Sequence, residues 1–410
     1  MSQPRVVVTG LGVLSAIGHD RPSFWSALCQ GRHGFAPIKT IDPDSLRFKI
    51  VAQIGNFDPR QYLENKQLEY MDRFAQFALI AAREAVRDAN IHDWTDEQRN
   101  RFGVVMGSSG GGQATIDDGF VELYRHHKPR VHPLTIPRVM ANAGASHIAT
   151  DLGITGPCYA VSTACSSANH AIGQGFWLIR SGVIDGAIVG GSEAPFSFGN
   201  LKAWEALRVV SPDLCRPFSR DRNGIILGEG AGVLILESLN HARARGARIY
   251  AELAGFGMSA DAAHVIQPCS DGAARAMQAA LHDAAMCPED IDYINAHGTG
   301  TPVNDLTETA SIRKVFGGHA DRLLVSSTKS MHGHALGAAG ALEGVAVALA
   351  LQDGMVPPSA NFTQADPVCD LDVVPNQARR ADIRCALSNS FAFGGLNAVL
   401  AFRKWEHETG

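Results

Sequence analysis

The chain has 410 residues, of which 42 are Gly and only 19% are charged, against roughly 25% charged in an average protein; so long and weakly charged a chain implies a large interior. A net charge of −5 with scattered Lys and Arg excludes nucleic acid as the main partner. No apolar run approaches the ~18 residues of a membrane span, and the opening MSQPRVVVTG lacks the layout of a signal peptide, so the expected address is the cytoplasm.

In chain order, periodicity predicts a strand at 5–9, a helix at 74–90, a strand at 102–106 and an aperiodic excursion at 124–147. A strand at 157–161, a helix at 166–181 and strands at 187–189, 233–237 and 251–254 follow. The remainder reads as a helix at 272–285, a strand at 293–295, a helix at 306–315, a strand at 323–326, a helix at 340–352 and strands at 386–388 and 398–402. Short apolar runs alternating with Ala-rich helices are the pattern of an α/β protein with parallel strands. The eight cysteines form no CxxC pair and no dense framework, which fits reduced core residues.

The chain also echoes itself. VVVTGLGVLS is matched by AELAGFGMSA, so Gly10 and Gly12 correspond to Gly255 and Gly257. FGVVMGSSGGG pairs with IDYINAHGTGT, YAVSTACSSANHA with LLVSSTKSMHGHA, GAIVGGSEA with CALSNSFAFGG, and GEGAGVLILES with GGLNAVLAFRKW. Two equivalent halves are inferred, 1–250 carrying a candidate nucleophile and 251–410 carrying two candidate histidines. A ligand belongs in the crevice between them, at the carboxyl ends of strands.

Four segments carry candidate chemistry. In STACSSANHA, Cys165 stands where a strand gives way to a helix; the helix N-terminus would lower its pKa and make a thiolate nucleophile, while the plain alternative is a small buried Cys. Thr163 and Ser167 occupy the places where a hydrolase elbow needs Gly. In NAHGTGTPVNDLTE, His297 lies in a loop with Gly298, Thr299, Gly300 and Thr301, and is either a satisfied core residue or a catalyst. SSTKSMHGHALGAAGALE, the echo of the Cys165 segment, brings Lys329 and His334; His332 and His334 lack further ligands at metal-site spacing. SNSFAFGGLNAVL offers a turn whose N–H near Phe393 could join that of Cys165 in an oxyanion hole. The segment at 10–18 has Ser15 where a dinucleotide fingerprint needs Gly, and no Gly-Lys-Ser/Thr loop is present, so nucleotide binding has no support.

Together, TACSS, NAHGTGTP, STKSMHGH with GAAG, and NSFAFGG resemble the elongating type II β-ketoacyl-(acyl carrier protein) synthases of the thiolase superfamily, over essentially the whole chain. The resemblance implies a duplicated thiolase-like fold in five αβαβα layers, a homodimer, and a site of Cys165, His297 and His334. It implies that Lys329 organises charge around His334 with Asp305 and Glu308, that Thr299 and Thr301 bind pantetheine, and that Phe393 gates the acyl pocket. It further implies docking of acyl carrier protein at Arg208, no cofactor beyond the carrier's phosphopantetheine, and, at Asn295, Glu343, Ser388 and Asn389, positions that in some members hold a monovalent cation. Ala392 stands where the family usually has Gly, and Leu396 where Thr is common. With SSANHAI, LKAWEALRV and CDLDVVPN, these lean toward the branch of nodulation-protein and specialised polyene synthases.

Three relatives of that family fit less well. A chain-length factor, the non-catalytic partner in heterodimers, lacks the nucleophile that Cys165 supplies. A degradative thiolase needs a second Cys where this chain has residues 391–395, and a starter-unit synthase has Asn in place of His334.

Overall fold

The computed structural model describes residues 3–92 and 94–406. Ten strands form one sheet: β1 (Val6–Ser15), β2 (Phe102–Gly107), β3 (Cys158–Val161), β4 (Gly186–Glu193), β5 (Gly230–Ser238), β6 (Ala251–Ala260), β7 (Tyr293–Asn295), β8 (Leu324–Ser326), β9 (Cys385–Ala392) and β10 (Leu396–Lys404). Their order is β8-β7-β9-β10-β6-β1-β5-β4-β2-β3. Outward from the β6–β1 seam the two sides mirror each other, and each of the five sequence echoes occupies matching places in them.

The expectation of parallel strands holds only at the two flanks. β2 pairs in parallel with β3 and β4, as does β7 with β8 and β9. The pairs around the seam, β1–β5, β1–β6, β4–β5, β6–β10 and β9–β10, are antiparallel. The link from β9 to β10 is a tight turn at 393–395, too short for the crossover that parallel strands require.

Seven helices matter for the site: α1 (Arg73–Asp88), α2 (Ala143–Leu152), α3 (Ser167–Arg180), α4 (Phe198–Leu207), α5 (Ser270–Asp283), α6 (Pro302–Phe316) and α7 (Ala339–Asp353). α1 covers the outer face of β1, β4 and β5, while α5 and α6 serve the opposite side. Between the two half-sheets lie α3 and α7, whose Ile172, Phe176, Leu342 and Val345 share one core cluster with Val189, Leu234, Leu400 and Phe402. Strand alternation makes these layers: Val105, Val189 and Leu234 point inward, and Val104, Ile188 and Val233 point to α1. The result is the five-layered αβαβα arrangement.

Because α7 meets strands on both sides, it is apolar all round. The stretch Leu336–Asp353 is long and apolar enough to cross a membrane by length and composition, contrary to the sequence reading, but 89% of it is buried inside the protein. The outer layers depend on glycine. A Cβ on Gly12 would lie 2.0 Å from the Ala81 carbonyl of α1, and one on its echo Gly257 would lie 2.2 Å from the Ala276 carbonyl of α5.

The excursion read as aperiodic at 124–147 is more helical than expected. It contains the short helix Thr135–Val139 and the first turns of α2, whose Ala145 and Ile148 are buried on the α1 side. Few apolar residues mark its inner face, so its periodicity is weak. Phe120, Tyr124, Ile136 and Met140 of this region are exposed.

Candidate active site

Four strand ends bring the candidate residues together: Cys165 follows β3, His297 follows β7, Lys329 and His334 follow β8, and Phe393 follows β9. Cys165, His297, Thr299, Thr301, His334 and Phe393 line one cavity of about 330 Å³, with Trp204 and Arg208 also in its wall.

Cys165 is held in a sharp turn. Ala164 before it takes a left-handed φ of 49°, which a side chain adopts only under strain, and the Ser166 hydroxyl after it donates back to the Thr163 carbonyl at 2.9 Å. Burial pushes the Cys165 thiol up to about 11, and Glu193 pushes the same way; Lys329 and the backbone N–H groups of Phe393 and of Cys165 itself act in the opposite sense. The expectation of a depressed thiol pKa is therefore corrected: Lys329 and the two backbone N–H groups do favour thiolate, but removal from water outweighs them. The two backbone donors named from the sequence are the two that act on the sulfur.

His297 and His334 are buried, with ring centroids 5.4 Å apart and planes nearly perpendicular. Burial, followed by the charge of Lys329, drives both well below the ordinary histidine pKa, so both rings are neutral at physiological pH. His334 Nδ1 accepts the Leu336 N–H at 3.1 Å, which assigns the remaining proton to Nε2. Its backbone is clasped by the segment before β5: His334 N donates to the Ile226 carbonyl at 2.7 Å, and Gly228 N donates to the His334 carbonyl at 2.9 Å. His332 is different; its ring nitrogens lie against the Gly333 carbonyl and the Thr328 hydroxyl, making it a satisfied core residue.

The network assigned to Lys329 is corrected. Its ammonium group pairs with Glu343, both side chains being fully buried, and neither Asp305 nor Glu308 is its hydrogen-bonded partner. Those two acids build the His297 loop. Glu308 accepts the N–H groups of His297 and Gly298 at 2.8 and 2.7 Å, while Asp305 accepts those of Gly300 and Phe218 at 3.2 and 2.8 Å. Burial raises Glu308 and Glu343 to about 7 and Asp305 to about 6. Near the same acids, Asn295 Oδ1, Glu343 Oε2, Ser388 Oγ and Asn389 Oδ1 are buried oxygens without a hydrogen-bond donor. An all-oxygen set of this kind fits a hard monovalent cation.

At the cavity mouth Phe393 stacks on Trp204 of α4, with centroids 6.3 Å apart and planes 22° from parallel. Ala392 ends β9 paired to Leu396 and is not among the residues with positive φ; Gly394 and Gly395 make the turn instead, at φ 85° and 68°. Ala is thus unstrained in this position. Arg208, exposed and left-handed at φ 55°, terminates α4. Thr299 and Thr301 hydrogen-bond each other at 2.9 Å, and Thr301 also caps α6.

A family model for the N-terminal domain of β-ketoacyl synthases matches residues 3–242, and its C-terminal counterpart matches 250–363. The chain belongs to the β-ketoacyl synthase family. This synthase is 49% identical over 402 residues to nodulation protein E of Rhizobium sp. (strain N33), covering 98% of this chain and 99% of that protein. It is 43% identical over 414 residues to 3-oxoacyl-(acyl-carrier-protein) synthase 2 of Staphylococcus aureus (strain N315), covering 99% and 100%. Among solved structures, the ishigamide ketosynthase/chain length factor superposes with a TM-score of 0.94 at 39% identity, covering 99% of this chain and 100% of that one.

Two residues of this β-ketoacyl synthase escaped the sequence reading. Trp204, within the LKAWEALRV segment, stacks on Phe393. Glu193, at the end of β4, is buried and accepts N–H groups from Ser109 (2.7 Å), Gly110 (3.2 Å) and Gly337 (3.1 Å), tying the 107–112 loop to the turn after His334. A carboxylate ending an apolar strand at the site-facing edge was the available signal. The family's acyl-transferring condensing chemistry is matched by what these groups can do: a sulfur nucleophile, two backbone donors beside it, and two neutral imidazoles opposite.

Proposed function

We propose that this chain is a 3-oxoacyl-(acyl carrier protein) synthase of the elongating type II class, acting on fatty acyl or polyketide-like chains. One observation carries the reading: Cys165, the N–H groups of Cys165 and Phe393, and the neutral rings of His297 and His334 converge on one cavity.

The carrier's pantetheine arm enters past Arg208 and Phe393 and rests on Thr299 and Thr301. Cys165 sulfur attacks the acyl thioester carbonyl, the two N–H groups hold the oxyanion, and the departing pantetheine sulfur takes up the Cys165 proton. Malonyl-carrier protein then follows; its C–CO2 bond breaks, CO2 leaves, and the electron pair forms an enolate at the thioester oxygen. Imidazole N–H donors from His297 and His334 hold that oxygen, each well-aimed donor contributing about 3–4 kcal/mol. The enolate carbon attacks the acyl-Cys165 carbonyl, expels the sulfur, and releases a 3-oxoacyl chain two carbons longer. Lys329 with Glu343 sets the positive potential around both histidines. Asn295, Glu343, Ser388 and Asn389 would hold a monovalent cation that offsets the buried acids.

The chain's acidic partner is the carrier protein, met at Arg208. A second copy of the chain covers the edge strand β3 and the exposed Phe120, Tyr124, Ile136 and Met140. The eight free thiols fit the cytoplasm. A second reading, favoured by the higher identity to nodulation protein E and by the ketosynthase/chain length factor superposition, makes this chain the condensing subunit of a specialised pathway with a chain-length-factor partner; retention of Cys165 argues against a non-catalytic subunit.

The test uses purified protein with acyl- and malonyl-carrier protein, following CO2 and 3-oxoacyl product. C165A is expected to lose condensation, and H334A to lose decarboxylation while Cys165 is still acylated. Unchanged product from C165A sinks the mechanism. Acylation lost with decarboxylation intact in H334A reverses the role of the histidine.

A further inference from the structure

Asn169 lies one helical turn beyond Cys165 on α3 and is fully buried. Its neighbours along the helix, Ala168, Ala171 and Ile172, belong to the apolar core, so its Nδ2 needs acceptors here, while its Oδ1 is buried without a donor. Its Nδ2 reaches into the other half of the molecule, donating to the Ser388 carbonyl of β9 at 3.1 Å and to the Ala398 carbonyl of β10 at 3.2 Å. Reversing the amide would aim its oxygen at two carbonyl oxygens, so its orientation is fixed. The notch it fills is made by Gly340 at the start of α7, where a Cβ would stand 2.3 Å from Asn169 Oδ1. The two strands it grips form the hairpin whose turn carries Phe393.

This matters because the two backbone donors around the Cys165 sulfur have different origins. One hangs from the start of α3, the other from the β9–β10 turn, and nothing in the local chain links them. Oxyanion donors must sit about 2.7–3.1 Å from a single oxygen, and a 1 Å displacement can lower the rate about 100-fold.

We propose that Asn169 is a positioning residue for the acyl-transfer half-reaction, locking the nucleophile helix to the β9–β10 hairpin so that the Cys165 and Phe393 N–H groups keep a common aim. The proposal rests on the reading of Cys165 as the acylated residue. His334 is held separately, by Ile226 and Gly228, so its part in decarboxylation does not pass through Asn169.

N169L preserves volume and leaves no unpaired side-chain group; if it does not fold, N169S, whose hydroxyl is too short to reach either carbonyl, serves the same purpose. Cys165 acylation is followed by intact-protein mass spectrometry across acyl-carrier concentrations, and CO2 release from malonyl-carrier protein is measured in parallel. The expected result is a kcat for acylation at least tenfold lower with KM within twofold, and decarboxylation lowered less than threefold. An unchanged acylation rate, or an equal loss in both half-reactions as general loosening would produce, overturns the role of Asn169 alone. Failure of the wild-type protein to acylate Cys165 overturns the underlying reading together with it.

Discussion

Two neutral histidines facing a protonated thiol define how the site responds to pH. Both imidazoles lie far below their ordinary pKa because they are buried and Lys329 is close. As neutral rings they can donate hydrogen bonds and carry no charge to lose as pH rises. Decarboxylation of malonyl-carrier protein is therefore expected to stay level between pH 6 and 8 when followed by CO2 release. If either ring worked as an imidazolium, the rate would fall about tenfold per pH unit above its pKa, and such a fall would exclude the neutral-donor assignment. The raised thiol pKa complements this: burial keeps the sulfur protonated although the two backbone donors and Lys329 favour its thiolate.

At the scale of the elements, close packing of strand on helix fixes the layers. Gly12 and Gly257 sit at equivalent places on β1 and β6, each pressed on the carbonyls of its covering helix. G12A and G257A are each expected to lower unfolding free energy by about 1–3 kcal/mol, the range for overpacking a dense site. G318A, where an added Cβ meets nothing within 4 Å, is the control and should leave stability within about 0.5 kcal/mol. Urea unfolding of the three variants decides this; equal stability of all three would contradict the packing argument.

The same glycines explain what the sequence could and could not reveal. Every strand of the sheet was visible as a short apolar run, but β1 and β6 were cut short at their glycines, although both continue to Ser15 and Ala260. The echo pointed to candidate residues that the structure brings to one cavity, because both halves place them at strand ends. Partnership within the site was less legible: Lys329 pairs with Glu343, which stands on a different helix from Asp305 and Glu308, and only the packing of α7 against β9 brings that carboxylate in. Likewise the thiol pKa depends on desolvation, which no local motif records.

For the whole molecule, the buried acids set a pH-dependent load on folding. Glu308 rises from an ordinary value of 4.5 to about 7, so between those pH values the folded chain holds a proton that the unfolded chain has released. Stability from this group thus declines as pH rises through that window. Buried histidines oppose it, since below their ordinary pKa the unfolded chain binds the extra proton, as for His332 lowered to about 3. Replacing Glu308 by Gln removes the first effect and leaves the second. The difference in unfolding free energy between E308Q and wild type is expected to move in favour of the variant from pH 4.5 to 7, by at most about 1.4 kcal/mol per pH unit. A difference independent of pH would show that Glu308 is ionised throughout.

The central position of α7 has a temporal side. The ribosome delivers β1 to β5 long before residues 339–353, yet Leu234 of β5 shares its core cluster with Leu342 and Val345 of that helix. A nascent chain at that stage carries an apolar sheet face that this helix has yet to cover, the kind of surface that invites aggregation. The first half of the protein must wait, sheltered, for a lid encoded near the end of its own message.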